Sequence, residues 1–249
     1  MNIPAGRKFT RILGAELVKL VTLPAIWLIL AGTFVAQCVV TAAYTSVALQ
    51  SEPGTYTFLN TGLASMRYLQ AGFMMLGITA TASEYTGGQI RTTLTVLPWR
   101  GLQLSVKYLA LVIIAVPAAF LMAASGVLYA GLMLRDTTVG LEPDQIAACL
   151  GGGTGYLTLT ALLGAAAGAI LRRTTPALVI LLGYYFIVSP MAGAYLPDYL
   201  PDVAGYYMYA PPAAYPHNAL SRLQGTGISI LWIILFITAA LVLYRKRDA

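Results

Sequence analysis

Residues 106–133 read VKYLALVIIAVPAAFLMAASGVLYAGLM, with one charge, Lys107, at the start and none after it. The hydrocarbon core of a bilayer is about 30 Å thick and a helix rises 1.5 Å per residue, so roughly 20 apolar residues cross it. This stretch exceeds that length. Working outward, five more stretches of the same character lie at about 24–45, 64–82, 147–171, 175–195 and 226–244. Strict two-residue alternation is absent and the runs are too long for barrel strands, so each is expected as a helix that satisfies its own backbone hydrogen bonds. The expected fold is an all-α membrane protein: a single transmembrane domain over residues 1–249 with six transmembrane helices.

Composition points the same way. A chain of 249 residues that is 58% hydrophobic and only 10% charged has more apolar surface than one soluble core can hide, and lipid is expected to cover the excess. The net charge of +6 does not indicate nucleic acid, because the basic residues flank apolar spans instead of gathering on one soluble face. Arg7, Lys8, Arg11 and Lys19, then Arg91, Arg100 and Lys107, then Arg172 and Arg173, and finally Arg245, Lys246 and Arg247 fall in alternate gaps. The other gaps hold Arg135, Arg222 and most of the acids, including Glu52, Asp136, Asp198 and Asp202. Positive residues stay inside, so the expectation is a multi-pass protein of the cell membrane with both termini cytoplasmic. Ser46-Val47-Ala48 has the form of a cleavage site, but the apolar run before it is too long for a signal peptide, and the first span is expected to be retained. Cys38 and Cys149 read as small packing residues in preference to a disulfide pair.

Two segments on the inner side carry more than a linker requires. In 84–98, Ile90, Leu94 and Leu97 recur at i, i+4 and i+7, which places them on one face of a short helix that Pro98 would end and Gly87-Gly88 would introduce. Such a helix could lie on the bilayer surface or dock into a groove of a cytoplasmic partner; periodicity by itself favours the surface. In 7–22, Phe9, Ile12, Leu13, Leu17 and Leu20 share a face with charges opposite, as in an interfacial helix. Pro24 then starts the first span and Trp27 stands where a headgroup-level aromatic anchor belongs.

The stretch from Glu16 through Lys19 and Leu20 to Trp27, the run Glu84-Tyr85-Thr86-Gly87-Gly88-Gln89-Ile90-Arg91-Thr92-Thr93-Leu94, and then Pro98-Trp99-Arg100-Gly101 and Lys107 resemble the ABC transporter type 2 permease family. With six spans and both ends inside, the resemblance covers essentially the whole chain. It implies that 7–22 is an elbow helix, with Glu16, Lys19 and Trp27 as its marked residues. It also implies that 84–98 is a coupling helix, with Glu84, Gly88, Ile90, Arg91, Thr92 and Leu94 as contacts to an ATPase. Partner docking then becomes the favoured reading of that segment. The implied assembly is two ABC ATPase subunits, which bind ATP and Mg, and a second permease chain, with a homodimer expected, in a lipid bilayer.

None of Lys8, Lys19, Lys107 and Lys246 follows a glycine, so no Walker A loop is present and the chain is expected to be a transport subunit, not an enzyme. Gly151-Gly152-Gly153-Thr154-Gly155 opens an apolar span and reads as close helix packing. No Asp or Glu falls near the centre of a span, which argues against ion-coupled carriage; the lone His217 and the absence of a His-Glu-x-x-His motif argue against intramembrane proteolysis and a metal site. Arg67, about one turn inside the second span, either snorkels to the headgroups, lines a path or pairs with an external acid. The external segment 190–225, with its loop at 196–225, interleaves tyrosines and prolines; the resemblance implies that this region caps the exit, so Tyr195, Tyr206, Tyr207 and Tyr209 belong either to that external gate or to an aromatic belt. Gly164 and Gly168 predict tight helix packing, within or between chains, and Pro117 predicts a kink. The function expected is an exporter permease for a lipophilic or amphipathic substrate; the alternative is a non-transporting scaffold or sensor subunit.

Overall fold

A computed structural model describes residues 5–52, 56–85, 100–134, 143–192, 199–211 and 220–246. Within these residues the chain is all-helical, with no strand. Helix α1 (Ala5–Thr22) carries part of the expected stripe: Leu20 is buried and Leu13 and Leu17 pack on the core, but Phe9 is exposed along with Val18 and Val21, and Glu16, expected on the charged face, is buried. Leu23 is extended and Pro24 occupies the first position of α2 (Pro24–Leu49), where its missing N–H costs nothing. The Trp27 indole donates to the Val21 carbonyl at 2.7 Å and pins the two helices across that corner.

Helix α2 inverts soluble amphipathicity. Between Ile26 and Ala48, which are buried near its two ends, its interior face is Thr33, Gln37, Thr41 and Thr45, one residue every four, and its exposed face holds Leu28, Val35, Val39 and Val47. Such a helix is stable only if lipid covers the apolar face, since polar groups in a bilayer turn toward protein. A short α3 (Phe58–Leu63), capped by the Thr57 hydroxyl accepting from the Asn60 amide, leads into α4 (Met66–Ala82) and a tight turn at Ser83–Tyr85. There follow α5 (Arg100–Leu134), α6 (Pro143–Leu171), α7 (Thr174–Ala192, with a wider π turn at Tyr184–Val188), α8 (Pro201–Tyr209) and α9 (Arg222–Lys246).

Among the described residues, five helices are long and apolar enough to cross a membrane: α2, α5, α6, α7 and α9. The expected second span is α4, whose 17 residues extend about 25 Å, at the short limit for a crossing. The helices overrun several expected span ends because their terminal turns are polar, as at Pro143–Ile146 and Arg222–Gly225, where hydropathy gives no signal. Helix α5 continues through Pro117.

The packed centre is α4 against α6. A Cβ on Gly77 would lie 1.9 Å from the Ala161 carbonyl oxygen, one on Gly164 would lie 2.4 Å from that of Met74, and Gly168 abuts the Thr81 hydroxyl. The small residues at 164 and 168 therefore serve a seam within the chain. Thr81 donates across that seam to the Ala165 carbonyl at 3.0 Å. Two thirds of the most apolar window of α6 is buried (67%), against 22% for α2 and 17% for α9, so α6 is the interior helix and the others present apolar faces outward. Cys38 and Cys149 are both free, the first exposed and the second buried.

Candidate functional site

Four charged side chains meet beside the C-terminal end of α4. The 3-10 turn that closes α4 delivers Glu84, the fourth and fifth turns of α1 deliver Glu16 and Lys19 three residues apart, and the third turn of α5 delivers Lys107. Lys107 Nζ lies 2.6 Å from Glu84 Oε1 and 3.6 Å from Glu16 Oε2. Lys19 Nζ donates to Glu16 Oε1 and to Glu84 Oε1, each at 3.0 Å. Each acid thus faces both lysines, and the formal charge of the set is zero.

Burial makes the arrangement consequential. The side chains of Glu16, Glu84 and Lys107 are 3%, 9% and 5% exposed, whereas Lys19 is 46% exposed. Removing such charges from water costs several kcal/mol per ion, and only close, multiple partners offset it. Lys107 adds a bond to the Ala80 carbonyl at 3.5 Å. Burial drives the Glu84 carboxyl up, but Lys107 first and then Lys19 outweigh it and hold the group below its ordinary value. For Lys19, burial pulls the ammonium down, and the hydrogen bond to Glu16 with the charges of both acids reverses this and holds it above its ordinary value. The node walls a cleft of about 370 Å³ between α1, α4 and α5.

Further ties gather at the same end. The Arg172 guanidinium stacks 5.4 Å over the ring of Tyr85, from the two-residue connection between α6 and α7, where Arg172 itself has φ of 54°. Tyr244 of α9 donates to Gln103 of α5 at 2.9 Å. A force applied to residues 84 and 85 would therefore be felt by α1, α4, α5 and the α6–α7 turn. Among the described residues no group of three or more His, Cys, Asp or Glu could hold a metal ion. The node offers mechanical linkage, with every formal charge matched.

Of the residues singled out from the sequence, Glu16, Lys19 and Glu84 are brought together, although the first two were assigned to one segment and the third to another. Trp27 stands at the α1–α2 corner. Gly88, Ile90, Arg91, Thr92 and Leu94 lie outside the described residues, as does Tyr195. Arg67, Tyr206 and Tyr209 line shared cavities at the other end of α4, while Tyr207 is buried and packs toward Gly225 of α9. Lys107 enters the sequence pattern through topology and as part of the resemblance, and neither marks it as the centre of the node. The available signal was its position: it follows the 84–98 segment at the first buried turn of an apolar helix, where an unpaired lysine would be untenable. Of the residues that share the cavity with Arg67, Asp202 stands in the sequence as one of the external acids that could face it, whereas Gln70 and Tyr156 carry no sequence signal of their own. No family model and no curated protein matches this chain.

Proposed function

We propose that this chain is the membrane-spanning permease subunit of an ATP-binding-cassette exporter, with the four-charge node as the joint that passes motion from a separate ATPase to the helix bundle. The observation that carries this reading is the place of Glu84: it lies in the turn after α4, is clamped to α1 and α5 by Lys19 and Lys107, and opens the 84–98 segment whose residues resemble a coupling helix. A joint without its own energy source needs a motor elsewhere. The chain lacks a phosphate-binding loop, which supports placing ATP and Mg on a partner subunit.

On this reading α4 crosses as a sixth span by local thinning of the bilayer, α1 lies along the inner interface, and both termini are cytoplasmic in the cell membrane. Two such chains, as a homodimer, sit over two ATPase subunits. Closure of the ATPases displaces the 84–98 segment, the node carries that displacement into α1 and α5 together, and rigid tilting changes access at the seam between the chains. The apolar exterior fits a lipophilic or amphipathic substrate.

The test is capture from native membranes of the tagged chain bearing a photocrosslinking residue at position 90. The expected product is a covalent adduct with a cytoplasmic ATPase, lost when Arg91→Glu is introduced. Adducts with lipid alone, together with purification free of any ATPase, would overturn the permease reading in favour of a scaffold or sensor.

A further inference from the structure

At the N-terminal end of α4 the chain builds a second polar site with the opposite design. Arg67 and Gln70 from α4, Tyr156 from α6, and Asp202, Tyr206 and Tyr209 from α8 line a cavity of about 230 Å³. A second cavity of about 160 Å³ adjoins it and shares Arg67, Tyr206 and Tyr209 as walls. Arg67 and Asp202 open onto the same space without forming an ion pair. Ser189 donates to Asp202 Oδ2, and the other carboxylate oxygen, Oδ1, is buried with no hydrogen-bond partner. The carboxamide oxygen of Gln70 is taken by the Tyr156 hydroxyl.

Three of the walls are aromatic and mutually packed: the rings of Tyr156 and Tyr209 are 5.3 Å apart at 42°, and those of Tyr206 and Tyr209 are 5.5 Å apart at 79°. Inclined aromatic faces beside a carboxylate with a spare oxygen are the chemistry that holds an ammonium group, through cation–π attraction and charge. A guanidinium on the same cavity that forms no ion pair among the described residues is the chemistry that holds a phosphate. The space is too small for a large substrate and suits one compact zwitterion.

We propose that this cavity binds a zwitterionic phospho-ammonium group, with the ammonium against Asp202, Tyr206 and Tyr209 and the phosphate on Arg67. The inference is independent of the ATPase reading, since it uses none of the residues of the joint. Two sources share this chemistry, a phospholipid headgroup and a free phospho-ammonium compound. Pro201, the neighbour of Asp202, lines an apolar cavity of about 310 Å³ that reaches Trp232 and Phe236 of α9, which would accommodate an acyl chain of the lipid form.

The experiment is native mass spectrometry and calorimetric titration of the delipidated, detergent-purified full chain with short-chain phosphatidylcholine, short-chain phosphatidylglycerol and free phosphorylcholine. The expected result is one equivalent of phosphatidylcholine bound at least tenfold more tightly than phosphatidylglycerol, with Asp202→Asn and Arg67→Gln each weakening it tenfold or more and Leu223→Ala, at an exposed position on α9, leaving it unchanged. Equal binding of phosphorylcholine assigns the site to the free compound, and binding of the chain-bearing form alone assigns it to lipid; both sustain the proposal. Equal affinity for the two lipids, failure of the wild-type chain to bind either zwitterion, or indifference of a folded Arg67→Gln protein would each overturn it.

Discussion

At the C-terminal end of α4 two acids and two lysines neutralise one another within 3.6 Å, whereas at its N-terminal end, about 25 Å away, Arg67 and Asp202 share a cavity and do not meet. The same short helix thus ends in a closed network on one side and an open one on the other. Closed, buried charge resists rearrangement, because separating any pair leaves an uncompensated ion in a poorly solvated place. Open charge around a cavity is held ready for something from outside. The first arrangement suits a joint that moves as one piece, the second a site that exchanges its occupant.

The contrast can be broken first at Lys107. Lys107→Met removes the central cation and leaves Glu16 and Glu84 with only the half-exposed Lys19; unfolding in detergent should show a loss of about 3–5 kcal/mol. A loss within 0.5 kcal/mol, roughly what a surface substitution gives, would mean that the buried cluster is not a structural element. Acid acts on the same contacts. The Glu84 carboxyl is depressed in the folded protein, so its contribution is present above its ordinary value of 4.5 and is lost as pH falls through the lower folded value. Lys19 is raised, so its contribution is present below 10.5 and is lost as pH rises beyond it. A spin label at the exposed Val18 position should therefore report an immobile α1 across the neutral range and release only at the two extremes.

Part of this was legible in the sequence. The apolar runs of α2, α5, α6, α7 and α9 announce themselves because lipid-facing helices must be apolar over about 20 residues. Helix α4 is harder, since Gly77 and the polar Gln70 and Thr81 serve contacts with α6 and dilute its hydropathy. Glu16, Lys19, Glu84 and Lys107 stand out as members of a resemblance, and Lys107 also through its place in the charge pattern. Their meeting did not, because positions 16, 84 and 107 are joined by tertiary folding that no local spacing encodes. For the cavity at the N-terminal end of α4 the sequence offered Arg67 and a run of tyrosines; which of them share a space depends on how α8 packs back on α4 and α6.

The seam between the two ends gives the next effect. Gly77→Val places a side chain into the Ala161 carbonyl and should cost about 1–3 kcal/mol by overpacking, measured in the same unfolding assay. Smaller again is Lys19→Met. Its ammonium is half solvated, so the loss should be about 0.2–1 kcal/mol and should shrink in high salt, unlike that of Lys107→Met. The smallest stability change belongs to the open end. Arg67→Leu removes an exposed charge that forms no ion pair and should leave stability within about 0.5 kcal/mol. If it destabilised the fold as much as Lys107→Met, the distinction between closed and open ends would fail.

The most direct measurement is a double-mutant cycle between Glu84 and Lys107, using Glu84→Gln and Lys107→Met singly and together in the purified chain. Joined as the 2.6 Å contact requires, the two should show a coupling of about 2 kcal/mol or more, the double variant being much less destabilised than the sum of the singles. Additivity within about 0.5 kcal/mol would contradict the account, because α1, α4 and α5 would then not be held as one body at that point.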